Sequence, residues 1–509
     1  MADRSTRLCV IVVLGVIASL LSASSGGAVA SHATRSHRVS PSAAVPTIDG
    51  PVTGPGDPSL ILAGYPFSTV GYSEKEFTFA GTATSYSTSS ALSTDGKWSV
   101  RPATTSAYKS RLVVVAPIDP ARFSGTVIVE WLNVTAGFDN AVEWIYAHDE
   151  MLRSGDAFVG VSAQAAGVNS LTTTAPARYG SLLHPGDSFS YDIFSQAGMA
   201  VRAKTSRVLS GLRPRALIAA GESQSAFRLA TYVDAVAPLA NVYDAYLIHS
   251  RGSGGAALSQ APQSAIAGPS VLTMRTDLAV PVFTFETETD VAGGVLGPVG
   301  YFPARQPDSK FFRLWEVAGA AHIDGYNTSG ITLNDDGNWA ADLQLFALLS
   351  SPTTTITQIA GLDLHLDCGG VGMNAGEEHY VANTALHDLA SWVREGEPPP
   401  KMPRLEVNSA TNPPSYRLDR NGNVLGGVRT PAVDAPLAVL SGLPAPGAPG
   451  FCNVFGQTHP FTSIQIAALY PTHADFVRQW KRAVRNATRA GALLPEDAEK
   501  LEDVVGNAH

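Results

Sequence analysis

Between residues 111 and 317 the sequence alternates short, almost wholly apolar runs with longer amphipathic stretches. The runs cover 111–116, 126–131, 157–162, 216–220, 245–249, 282–285 and 312–317 and draw heavily on Val, Ile, Leu, Phe and Ala. A strand with one wet face alternates apolar and polar residues, whereas strands apolar throughout are buried on both faces. Between the runs, 141–153, 193–209 and a stretch starting at Ser225 carry helical periodicity, with Ile193, Ala197, Ala200 and Val201 sharing one side. Strand and helix in alternation predict an α/β fold, a mostly parallel central sheet with helices on both faces. A last helix is expected over 379–395, stopping at Gly396 ahead of three prolines.

The ends of the chain read differently. Arg4 and Arg7 precede an apolar run, 8–21, and small residues then lead to Ala28-Val29-Ala30. That order is the pattern of a secretory signal peptide, expected to be cleaved after Ala30. The run is shorter than the roughly 20 residues that span a bilayer, so a soluble, secreted or extracytoplasmic protein with no stable membrane anchor is expected. Residues 31–56, rich in Ser, Pro, Gly and Ala, read as a flexible linker. The main folding unit is expected over 57–396, with 397–509 as a C-terminal extension of the same domain. Of three cysteines, Cys9 lies in the leader, leaving Cys368 and Cys452, which an oxidising compartment would join.

Several function classes have no support. A net charge of −9 does not suit nucleic acid, which demands a basic surface. Neither a paired-histidine metal motif nor a P-loop occurs, and Gly293, Gly294 and Gly297 lack the spacing of a dinucleotide loop, with Pro298 following them. No cofactor and no metal are expected.

One pentapeptide carries chemistry. Gly221-Glu222-Ser223-Gln224-Ser225 follows the apolar run 216–220 and opens the helical stretch holding Ala226, Leu229, Ala230 and Val233. Strand, tight turn and helix around a serine resemble the G-x-S-x-G nucleophile elbow, with Ser225 in place of the last glycine. Gly186-Asp187-Ser188-Phe189-Ser190 has the same spacing, but His184-Pro185 before it does not suit a central strand. Ser223 is therefore the candidate nucleophile.

Its partners should follow along the chain, acid before histidine. His322 leaves the run 312–317 on the small-residue loop Ala318-Gly319-Ala320-Ala321, where a ring can swing over the sheet edge and act as general base. His249, its main rival, precedes any suitable acid. Glu286, Glu288 and Asp290 follow the run 282–285. Asp290 falls at the customary distance, Glu288 stands second, and Glu286 should still belong to the strand. The oxyanion is expected to be met by the backbone N–H of Gln224 and by a second amide near Asn133, which also begins a glycosylation sequon. Glu130, inside an apolar strand, is expected to be a paired buried carboxylate.

Taken as a set, Gly221-Glu222-Ser223-Gln224-Ser225, His249-Ser250-Arg251-Gly252, Glu288-Thr289-Asp290 and Glu316 to His322 resemble a bacterial family of secreted α/β-hydrolase-domain proteins. Glu378-His379-Tyr380-Val381, Pro398-Pro399 and Gly426 to Pro431 are similar to its later signatures, so the resemblance runs from about residue 57 to the C-terminus. It implies the α/β-hydrolase fold and an esterase-like serine hydrolase with a Ser-acid-His triad, and names no substrate. Three readings follow: hydrolysis of a carboxylic ester, small or polymer-borne, through an acyl-enzyme; amidase, peptidase or acyltransferase chemistry with the same residues; or a non-catalytic binding protein of the cell envelope on the same fold.

Overall fold

In a computed structural model, residues 43–507 are described except 204–206, 293–299, 360–361, 369, 371, 410, 412–413 and 449. The expected leader and the glycines Gly293, Gly294 and Gly297 lie outside the described residues. Nine strands form one sheet: β1 (Thr47–Asp49), β2 (Tyr72–Ser87), β3 (Arg101–Pro117), β4 (Thr126–Trp131), β5 (Ala157–Val161), β6 (Ala216–Glu222), β7 (Ala245–His249), β8 (Val282–Thr287) and β9 (Phe312–Val317). Their order is β1-β2-β3-β5-β4-β6-β7-β8-β9. Neighbours run parallel from β5 through β9, whereas β1, β2 and β3 add an antiparallel edge. Every residue of β4 to β9 is buried, as wholly apolar strands require.

The helices that matter for the site are α1 (Val142–Ser154), α2 (Ser190–Arg202), α3 (Gln224–Thr231), α4 (Glu288–Ala292), α5 (Glu378–Glu395), α6 (His473–Ala490) and α7 (Pro495–Asn507). Helix α5 lies along α1 and meets β6 and β7, while α2 packs against β2. Helix α2 stops at Arg202 where 193–209 was expected, because Ala203 is extended at φ −63°, ψ 131°. Buried Val208 and Leu209 continue the apolar pattern outside that helix.

Two sequence expectations need correction. Residues 31–56 are not linker throughout: Thr47–Asp49 pair antiparallel with β2 as an edge strand. The hairpin of β2 and β3 is also much longer than the run 111–116 suggested. Its outer half is polar on its exposed face, so wholly apolar runs do not mark it.

The C-terminal extension is bound to the rest at several points. Val428 lies beside Val317 in a parallel bridge, and its N–H donates to Glu316 O at 2.7 Å. Pro399 and Pro400 present their carbonyls to Arg313 Nε and Trp315 Nε1 at 2.7 and 2.9 Å. From α7, Asp497 accepts from Arg153 at 2.8 Å, and Lys500 donates to Asp149 at 2.7 Å, both on α1. Cys368 and Cys452 form a disulfide, 5.5 Å between Cα atoms, within an apolar cluster that includes Ile145 of α1.

The bridge closes 84 residues of chain. On the chain-entropy model such a loop destabilises the unfolded state by about 4–5 kcal/mol. Cys452→Ser should lower the melting temperature and speed proteolysis beyond residue 396 under non-reducing conditions. An unchanged melting curve and cleavage rate would show that the extension is held without it.

Candidate active site

The site sits where the parallel strands end, and it is built from their turns. Strand β6 runs straight into α3 through Ser223, at φ 54°, ψ −120°. A side-chain-bearing residue reaches this region only against strain. The Ser223 N–H donates to His249 O at 2.9 Å, and Ser223 O accepts from Phe227 N at 3.2 Å. Ser225, where a glycine was expected, accepts from Glu222 N at 3.2 Å and donates to Glu222 O at 2.7 Å. Its hydroxyl thus braces the turn. A Cβ at Gly221 would stand 3.1 Å from Ser225 O, a close approach that a glycine avoids.

The structure brings Ser223, His322 and Asp290 into one hydrogen-bonded chain. His322 Nε2 lies 2.8 Å from Ser223 Oγ, and Nδ1 lies 2.7 Å from Asp290 Oδ1. The other Asp290 oxygen accepts from Thr287 N, Thr287 Oγ1 and Ser250 Oγ at 2.8, 2.6 and 2.7 Å. Burial alone would push this carboxyl up, but His322 and the Thr287 donors hold it below the ordinary range. The backbone of His322 is fixed too, its N–H donating to Thr289 Oγ1 and its carbonyl accepting from Tyr146 OH. Ser223 and His322 are only 6% and 3% exposed, so the chain of bonds is largely shielded from water.

Glu288 is not part of that chain. Its carboxylate accepts from Gly319 N at 2.6 Å and Gly442 N at 2.8 Å, tying the His322 loop to the extension. Glu286 stays on β8, as expected. Ser188 is buried away from the turn, its hydroxyl 3.1 Å from Ser259 Oγ and donating to Gln260 O at 2.8 Å. Those bonds, with Arg228 reaching both Asp187 and Gln260, join the segment around Ser188 to the one around Gln260.

Asn133 does not offer the amide assigned to it. Its N–H donates to Asn140 O at 2.9 Å, so it is already engaged. The side chain instead turns inward to Glu222, with Nδ2 3.1 Å from Glu222 O and 3.3 Å from Oε2. Gln224 is the first residue of α3, where no intrahelical acceptor exists for its amide. Among the described residues no cation pairs with Glu130. It accepts from the Glu143 and Trp144 amides at 3.0 and 3.1 Å, capping the start of α1.

Sequence reasoning passed over a layer of charged residues beneath the serine. His249 stands between two carboxylates, Nδ1 3.1 Å from Glu143 Oε2 and Nε2 3.0 Å from Glu378 Oε1. Burial would lower this imidazole, but Glu143 and Glu378 raise it well above the ordinary value. Glu222 stands next to Ser223, fully buried. The strings containing Glu222, His249, Ser250 and Glu378 were distinctive in the sequence, yet nothing local says that their side chains converge.

A family model described as Alpha/beta hydrolase domain matches residues 45–503. No curated protein matches the chain. Among solved structures, it is similar to a glucuronoyl esterase from Solibacter usitatus, at 11% identity and a TM-score of 0.26, over 48% of this chain and 76% of that one. It is also similar to a fungal esterase from Rhizomucor miehei, at 12% identity and a TM-score of 0.21, over 34% of this chain and 45% of that one.

The two acidic candidates should separate in experiment. Asp290→Asn should abolish the low-field imidazole N–H resonance of His322 with a small stability change. Glu288→Gln should retain that resonance but lose roughly 1–3 kcal/mol in denaturant unfolding, through two poorly met amides. Loss of the resonance in Glu288→Gln alone would reverse the assignment.

Proposed function

Because the chain belongs to the alpha/beta hydrolase domain family, we propose that it is a serine hydrolase cleaving carboxylic esters, with Ser223 as nucleophile, His322 as general base and Asp290 as orienting acid. The observation that carries this reading is the continuous contact from Asp290 through His322 to Ser223, 2.7 and 2.8 Å at its two joints. It is the arrangement a hydroxyl needs to lose its proton as it attacks.

In the proposed cycle Ser223 Oγ attacks the acyl carbon while its proton passes to His322 Nε2. Asp290 keeps the ring in the tautomer with Nδ1–H and stabilises the imidazolium. The Gln224 N–H, at the positive end of α3, meets the developing oxyanion. The Asn133 amide, engaged by Asn140 O, does not supply the second donor. His322 then returns the proton to the departing alcohol, and water, activated by the same ring, frees the acid.

Export belongs to the same proposal. The basic and apolar leader, the A-x-A stretch and a disulfide all suit an oxidising compartment. Among the described residues no helix is long and apolar enough to cross a membrane.

Ser223→Ala should abolish hydrolysis of p-nitrophenyl esters and labelling by a fluorophosphonate, whereas Ser188→Ala should keep both. Loss of a triad nucleophile costs on the order of 10⁶ in turnover. Full labelling of Ser223→Ala would remove Ser223 from the mechanism, and cleavage of anilides in preference to esters would move the reading to amide bonds.

A further inference from the structure

Glu222 takes no part in the cycle above, yet it has one of the most unusual settings in the protein. It occupies the turn just before Ser223 and is 2% exposed. Its Oε2 accepts from Asn133 Nδ2. Its Oε1 has no hydrogen-bond partner among the described residues and lies 3.3 Å from His322 Nε2. The nitrogen that must take the serine proton therefore has two oxygens in reach, Ser223 Oγ at 2.8 Å and a buried carboxyl.

We propose that Glu222 is a positioning residue that competes with Ser223 for His322 Nε2, idling the enzyme while the two side chains share a proton and strengthening the base once that proton has left. The proposal rests on the serine-hydrolase reading. While the proton is present, either the Glu222 carboxyl O–H donates to Nε2 or the imidazolium N–H donates to the carboxylate. In both forms the Nε2 lone pair is occupied and Ser223 has nowhere to send its proton. When the proton goes to solvent, Glu222 is a carboxylate and the lone pair is free. On attack the Oγ–H bond breaks and an Nε2–H bond forms, and the new imidazolium lies between Asp290 at Nδ1 and Glu222 at Nε2. A charge that appears only during reaction is then met from both sides.

The surrounding charges come from every neighbouring element. Asp290 faces the pair from α4; His249, with Glu143 of α1 and Glu378 of α5, faces it from the end of β7. Glu130 on β4 lies within electrostatic range of Glu222, and Asp324, beyond the His322 loop, acts on Glu378. Burial pushes the Glu222 carboxyl up to about 8; His322 and His249 oppose this, and Asp290 and Glu378 add to it. Burial would lower His322, but Asp290 and Glu222 raise it to about 9. Both groups hold a proton more tightly than usual, so the pair stays protonated at neutral pH and loses protons on the alkaline side. Activity should rise as pH climbs through that range.

The test compares kcat/KM against pH for the exported full-length protein and its Glu222→Gln variant, with p-nitrophenyl acetate. Glutamine keeps an oxygen for Asn133 but carries no charge. Removing a carboxylate within 4–6 Å should move the acid limb down by about 1–3 pH units, and the plateau rate should fall. An acid limb that stays in place overturns the proposal. The low-field His322 N–H resonance, assigned by its loss in His322→Gln, is titrated in the same two proteins and needs no turnover. Equal midpoints there overturn the proposal as well. If neither protein cleaves an ester or binds a fluorophosphonate while the two midpoints still differ, the serine-hydrolase reading falls and the competition for Nε2 stands.

Discussion

The site depends on one backbone constraint, the left-handed turn that ends a parallel strand. Ser223 holds φ 54° because its N–H is tied to His249 O, on the neighbouring strand. One strand further on the device recurs: Ser250 holds φ 55°, and its N–H donates to Phe285 O at 2.7 Å. Each strained serine is thus pinned by the next strand of the sheet. A non-glycine residue in this region costs on the order of 1–3 kcal/mol, which two paired strands can impose and a free loop cannot. The first turn raises the Ser223 hydroxyl toward His322, and the second aims the Ser250 hydroxyl at Asp290, whose other oxygen meets His322 Nδ1.

Charge burial is the second theme. Glu130 and Glu288 each take two backbone N–H groups, which oppose but do not cancel the upward push of burial on the two carboxyls. His249 is clasped by two glutamates under the serine. Such groups are expensive to bury unless hydrogen-bonded, so their concentration around one turn marks where the fold puts its polar investment. Gly442 of the extension supplies one of the Glu288 amides, so a piece of chain beyond residue 396 helps to fix the loop that carries His322.

Much of this was legible in the sequence, for local reasons. Strands β4 and β6 to β9 announce themselves because strands buried on both faces are mostly apolar, with few polar residues among them. Ser223 stands out from Ser188 because a strand precedes one and His184-Pro185 the other. Asp290 ranked ahead of Glu288 by its distance from the strand end; in the structure Asp290 meets His322, and Glu288 turns to Gly319 and Gly442. Asn133 was misjudged because strand length does not reveal that its amide is taken by Asn140. The hairpin of β2 and β3 was underestimated because its exposed residues break the apolar run.

By itself, then, the sequence determined the alternation of elements and the strand-turn-helix that carries Ser223, both properties of neighbours along the chain. Which oxygen meets which nitrogen was decided only in the tertiary structure. Ser223 and His322 are 99 residues apart, and Glu288 reaches Gly442 across 154. The same holds for Glu222: the pentapeptide places it beside the serine, but only the loop after β9 brings His322 Nε2 within 3.3 Å of it. A carboxyl on an open surface is a solvated anion. Buried at the end of β6 under that loop, it is a carboxyl held against an imidazole and pushed up to about 8.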